Sequence, residues 1–102
     1  MIILLSTAPL DPDSRDEWME IVTWMARKSR AEPGVIDYRV TTDIEAPNTV
    51  RIIEKYADAD AVDAHESSAH LEEFQRDIEP HLIGEPKLYR HDISERTEMR
   101  GP

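Results

Sequence analysis

His65 and His70 stand five positions apart around a Ser67-Ser68 step, in the run AHESSAH. An imidazole changes charge close to neutral pH, so either ring can accept or release a proton there. Upstream, Tyr38, Glu54 and Tyr56 fall in two runs that alternate as strands do. Two phenols and a carboxyl near a histidine would let a pocket hydrogen-bond a polar aromatic molecule and move one of its protons. His65 is therefore the candidate catalytic base, and Tyr38, Glu54, Tyr56 and His70 are the candidate substrate-binding residues.

Each candidate also has a plainer role. His65 closes a predicted short helix, where the macrodipole welcomes a ring that caps carbonyls. His70 falls near the positive start of the next helix, which favours a neutral imidazole. The tyrosines are ordinary strand residues that suit a core or an interface. Glu54 should share a strand face with Tyr56 and calls for a partner such as Arg39, Arg51 or Arg90, or else a pocket role. The histidine pair has no third ligand at motif-like spacing, so no metal is expected. His81 and His91 read as surface or strand-face residues.

Composition narrows the classes. The chain has 22 acidic and 12 basic residues, net −10, and no cysteine. Disulfides, thiolate nucleophiles and cysteine-bound metals are thereby excluded, and a polyanion would be repelled, so no nucleic-acid partner is expected. With 3 glycines there is no phosphate-binding loop, and neither a Ser-His-Asp order nor H-E-x-x-H is recognisable. The opening MIILLS has no basic n-region and is too short for a signal peptide or a span. No membrane partner is expected, and a cytoplasmic location is the default.

The elements that must position these side chains follow from periodicity. Residues 2–5 form an unbroken apolar run, a strand buried on both faces. Ser14-x-x-Glu17 matches a capping box, and Trp18, Ile21, Val22, Met25 and Ser29 make one stripe of a helix over 13–31, with Trp24 at its flank. Pro33-Gly34 ends it. Residues 35–41 alternate, with Ile36, Tyr38 and Val40 on one face, and 43–48 read as a hairpin loop. Residues 50–56 form the next strand, whose Ile52-Ile53 doublet suggests burial on both faces. Asp58 caps a helix through His65, and Ser67 or Ser68 caps another carrying Leu71, Phe74 and Ile78. Residues 87–93 alternate as a last strand. The order β-α-β-β-α-β, with the second helix split, is an α+β ferredoxin-like arrangement with an antiparallel four-stranded sheet. Residues 1–93 form one domain and 94–102 a polar tail. Helices on one side leave an apolar sheet face open, and a second copy is the economical cover.

Glu32-Pro33-Gly34 before the second strand, Glu54-x-Tyr56, the A-H-x-x-S-x-H step at residues 64–70, and Phe74 together resemble the antibiotic biosynthesis monooxygenase family over residues 2–93. The resemblance implies a dimeric α/β barrel. It also implies a cofactor-independent monooxygenase acting on a quinol or related small phenol, in which a deprotonated, electron-rich substrate itself activates O₂. Polyketide-modifying members carry Asn and Trp where this chain has Ile52 and Tyr56. The Asn–Trp–His set of haem-degrading members falls at Ser6, His65 and Gln75. These departures point away from both of those substrate classes. A non-redox isomerase or a ligand-binding stress-response module on the same barrel is the alternative.

The acidic surface should repel itself. Melting temperature is expected to rise from low salt to about 1 M KCl, where the Debye length shrinks to about 3 Å. A flat or falling trend in thermal unfolding would show that the acids are locally paired.

Overall fold

A computed structural model describes residues 1–102. In chain order it contains β1 (Ile2–Pro9), α1 (Arg15–Arg30), β2 (Val35–Thr42), β3 (Thr49–Tyr56), α2 (Ala59–Glu66), α3 (Ala69–Ile78) and β4 (Lys87–Asp92). The strands form one antiparallel sheet in the order β2-β3-β1-β4. This is the ferredoxin-like α+β arrangement with a divided second helix. No helix is long and apolar enough to cross a membrane.

β1 runs four residues past the apolar stretch that marks it in the sequence. Being central, it pairs with β3 on one side and β4 on the other, so its polar second half is held by ladder hydrogen bonds rather than by burial. The pleat sends Ile2 and Leu4 inward, with Val50, Ile52, Glu54 and Tyr56 of β3 on the same side. The other face is not buried within one chain. Leu5 lies opposite both Ile53 and Tyr89, and the three are 39%, 37% and 59% exposed. The apolar doublets therefore mark an open apolar face, not a strand enclosed on both sides.

Four local expectations are corrected. The capping box does not form, because Ser14 Oγ hydrogen-bonds His81 Nδ1 at 2.7 Å and makes no cap bond to α1. Residues 12–14 instead make a 3₁₀ turn in which Asp13 N–H donates to Asp11 Oδ1 at 2.9 Å, so α1 starts at Arg15. His81 is accordingly a half-buried tie between the start of α1 and the turn after α3, not a surface residue. In β2, a bulge between Val35 and Asp37 puts Val35 opposite Tyr56 and leaves Ile36 55% exposed. β4 shows no alternation of burial either; it is an edge strand with every residue exposed.

The α1 stripe reads as predicted: Trp18, Val22, Met25 and Ser29 are buried. Trp18, Val22 and Met25 pack with Leu10, Ala26, Tyr38, Val50, Ile52 and Ile78 in the larger of two apolar clusters. Trp18 Nε1–H donates to the Asp11 carbonyl at 2.8 Å, so its one polar atom is satisfied. The smaller cluster, Ile2, Leu4, Tyr56, Ala61 and Val62, fixes α2 to the sheet. Asp58 Oδ1 caps α2 by accepting from Ala61 N–H at 2.9 Å, and Ser68 Oγ caps α3 by accepting from Leu71 N–H at 3.3 Å.

Gly34 does not adopt positive φ. Its role is close approach: a Cβ there would overlap Ala61 Cβ where α2 crosses the start of β2. Gly34→Ala should destabilise the fold by about 1–3 kcal/mol, the usual cost of forcing a methyl into packed space. Thermal melts will check this, and Ala61→Gly in the same chain should recover part of the loss.

Candidate active site

The split of the second helix builds the site. α2 ends one residue after His65, and the Ser67-Ser68 step redirects the chain so that His70 enters α3 in its first turn. Ser68 secures the corner, since its N–H and Oγ–H both donate to the His65 carbonyl, at 3.1 and 2.6 Å. The His65 ring turns inward and is 2% exposed as a residue. It lies between the rings of Tyr38 and Tyr56, with centroids 5.8 and 5.5 Å away.

The ring does not cap carbonyls. His65 Nδ1 lies 2.8 Å from Glu32 Oε2, and His65 Nε2 lies 3.6 Å from Glu54 Oε1. In the neutral ring a carboxylate at Nδ1 makes that nitrogen the donor and leaves Nε2 with its lone pair. His70 approaches the same Glu32 oxygen from the other side, with Nε2 at 2.8 Å. Glu32 is the functional residue that reading the sequence missed. It was visible only as the first letter of Glu32-Pro33-Gly34. No spacing signal singled it out, because Asp63, Glu66 and Glu72 all lie nearer the histidines in the chain.

Glu54 finds none of the arginines suggested for it. Arg39, Arg51 and Arg90 pair instead with Asp37, Asp43 and Asp92. Its partners are the Tyr56 hydroxyl, which donates to Oε1 at 2.5 Å, and His65. Burial pushes the Glu54 carboxyl above the usual carboxylate range, and the Tyr56 hydrogen bond and the His65 ring offset part of that. Burial likewise drives both phenols upward, reinforced by the Glu54 charge at Tyr38 and by the Glu54 hydrogen bond at Tyr56. Both tyrosines therefore remain protonated donors.

A cavity of about 470 Å³ opens between the sheet and α3. Tyr38, Glu54 and His65 all line it, together with Ile52, Leu71, Phe74, Ile78 and Leu82. Tyr56 and His70 do not; they stand behind Glu54 and Glu32. Ser6 and Gln75 also reach the wall. The amide of Gln75 offers no imidazole to bind iron, so the one imidazole on this wall is that of His65. Glu32, His65 and His70 each offer one donor atom, all within 4.8 Å of one another, so the third partner missing from the sequence spacing is present in space.

The family model for antibiotic biosynthesis monooxygenases matches residues 1–77. The chain belongs to that family. The Bacillus subtilis (strain 168) protein YcnE, described as a candidate monooxygenase, is similar to this family member. The two are 27% identical over 95 residues, which cover 93% of this chain and 100% of YcnE. A crystal structure of an antibiotic biosynthesis monooxygenase superposes with a TM-score of 0.86 at 21% identity, covering 93% of this chain and 100% of that one. Rv0793 from Mycobacterium tuberculosis gives a TM-score of 0.86 at 18% identity, covering 95% and 98%. At such identities the two structures speak for the fold. In this member of the antibiotic biosynthesis monooxygenase family, that fold presents a histidine, a carboxyl and a phenol to one apolar cavity, and the family match supports a general monooxygenase-like role.

The raised Glu54 carboxyl gives the site a pH signature. A carboxyl whose folded pKa exceeds its unfolded value of about 4.3 stabilises fully below that value, and loses the contribution as pH rises through the folded pKa. Glu54→Gln keeps an acceptor for Tyr56 and removes the charge. Its melting temperature should therefore gain on wild type as pH rises from about 4 to 8. A gain of 1 kcal/mol would appear as about 4–8 °C in a domain of this size. A gap that does not change with pH would exclude a buried charge at Glu54 as the cause.

Proposed function

We propose that the protein is a cofactor-independent monooxygenase that oxidises a quinol or related small phenol with O₂. The observation that carries this reading is the two-sided setting of His65. Glu32 holds Nδ1–H, and Nε2 stands beside Glu54 at the cavity wall. Ile52, Leu71, Phe74 and Ile78 suit the faces of an aromatic ring, and the Tyr38 hydroxyl is a donor for one of its oxygens. His65 Nε2 takes the phenolic proton, and the imidazolium formed rests between two carboxyls. The electron-rich anion then reacts with O₂ without a redox group on the protein. One oxygen atom enters the ring and the other leaves as water, with the quinol supplying the electrons.

The same histidine–carboxyl pair supports a second reading. A base beside a carboxyl pushed towards its neutral form can move a proton between two carbons, as a non-redox isomerase requires. Binding of a phenol without O₂ uptake would favour that enzyme or a ligand-binding module.

The proposal includes a homodimer. Only 17 of 102 residues are buried in one chain, and Leu5, Ile53 and Tyr89 leave an apolar patch on the sheet. A second sheet packed on it would complete a barrel with helices outside. Light scattering at low micromolar concentration should report about twice the 11.8 kDa chain mass; a well-folded monomer would exclude the barrel.

Activity tests the site directly. O₂ uptake with menadiol should exceed the autoxidation blank and persist in EDTA. His65→Ala should lower it by at least an order of magnitude, since a base near neutrality typically supplies about 10²–10⁴-fold. Glu32→Gln should lower turnover by a smaller factor, with substrate binding retained, because the Glu32 carboxylate orients the base and does not touch the cavity. Full activity in His65→Ala would remove the histidine from the chemistry.

A further inference from the structure

Glu32, His65 and His70 come from three separate places: the turn after α1, the last turn of α2 and the first turn of α3. The fold nevertheless aims two ring nitrogens at one oxygen, with His65 Nδ1 and His70 Nε2 both 2.8 Å from Glu32 Oε2. One carboxylate would suffice to fix one histidine. Two imidazoles and a carboxylate converging from three directions also make the donor set preferred by divalent transition metals.

We propose that Glu32, His65 and His70 form a binding site for one divalent metal of the Zn²⁺ type, which takes the place of the two N–H hydrogens now shared with Glu32. Neighbouring ligands in a tetrahedron around such a metal, each at about 2.1 Å, lie about 3.4 Å apart. The present 2.8 Å separations thus need an expansion of about 0.6 Å. The surroundings supply the second requirement, a partner for the far side of a metal-bound ring. His65 Nε2 faces Glu54 Oε1 at 3.6 Å, and Glu54 is itself held by the Tyr56 hydroxyl at 2.5 Å. The entry path is short. The side chains of His70, Glu32 and His65 are 21%, 13% and 3% exposed, so the cluster opens to solvent beside His70. Neither Glu32 nor His70 lines the cavity, and a metal can arrive without crossing it.

Occupancy has a defined consequence for the histidine. A neutral ring that gives Nδ1 to a metal keeps its single proton but carries it on Nε2, where it donates to Glu54. His65 then has no lone pair towards the cavity. The metal acts as an inhibitor, not a cofactor, and this last step rests on the role of His65 proposed above; the binding itself does not.

Titrating EDTA-treated, tag-free protein with Zn²⁺ in a calorimeter, and with Co²⁺ by visible absorption, separates the two. One equivalent per chain is expected. Glu32→Gln and His70→Ala should each weaken binding at least tenfold, whereas His91→Ala, on exposed β4, should leave the isotherm unchanged. Circular dichroism of each variant shows whether it is folded. Ring ¹⁵N spectra of the wild type should show the His65 proton moving from Nδ1 to Nε2 on saturation with Zn²⁺. Absence of binding, or equal binding in His70→Ala and wild type, would overturn the site and leave a hydrogen-bonded cluster only. Zn²⁺ should also suppress menadiol oxidation in the wild type at the concentration that saturates the calorimetric site. If the metal binds as described but the metal-free protein oxidises no quinol, the monooxygenase reading fails while the metal site stands.

Discussion

The Glu32 carboxylate is the interaction on which the rest of the site depends. It sits where α1 gives way to β2, and it reaches across to residues 33 and 38 positions later in the chain. By accepting from both histidines it ties the sheet to the break between α2 and α3. It also sets which His65 nitrogen carries the proton. Remove it, and a nearly enclosed imidazole loses its only short hydrogen bond while Glu54 faces it alone. A half-satisfied polar cluster in a small core is costly, so the local fold and the local chemistry share one determinant.

The second layer of control is the low polarity around that cluster. Tyr38, Tyr56, Val62 and Ala61 surround the ring or hold its helix, and they deny Glu54 the water that would fix it as an anion. Burial is what lifts Glu54 and both phenols. The cavity wall here presents the His65 ring, the Tyr38 hydroxyl and the raised Glu54 carboxyl, and Glu66, Glu79 and Lys87 also line it. The surface acids and the buried acids thus do different things. Several of those outside pair with arginines, whereas Glu32 and Glu54 pair with histidines and a phenol.

Most of the element order was legible because it rests on periodicity. The α1 stripe, the Asp58 and Ser68 caps and the hairpin at 43–48 all depend on neighbours a few residues away. Of the site, Tyr38, Glu54 and His65 were legible as side chains sharing a face or closing a helix, and all three reach the cavity. What could not be read were contacts between distant segments. Ser14 abandoned a capping box for His81, Val35 displaced Ile36 through a bulge, and Glu32, not the nearer Asp63 or Glu66, supplied the carboxylate to His65. Gly34 was recognised as a helix stop, but what requires it is the proximity of Ala61. Each miss is a case of packing overriding a local preference.

β4 carries one more consequence. A sheet with an unpaired outer strand is a template on which other extended chains can add themselves, and that is how many small β-containing proteins come to grow fibrils. Here the outer strand is only 6 residues long and wholly solvated, and it carries Lys87, Arg90 and Asp92. An incoming strand would have to strip water from those charges for a short run of hydrogen bonds. β4 is thereby a poor template for such growth at its own edge of the sheet.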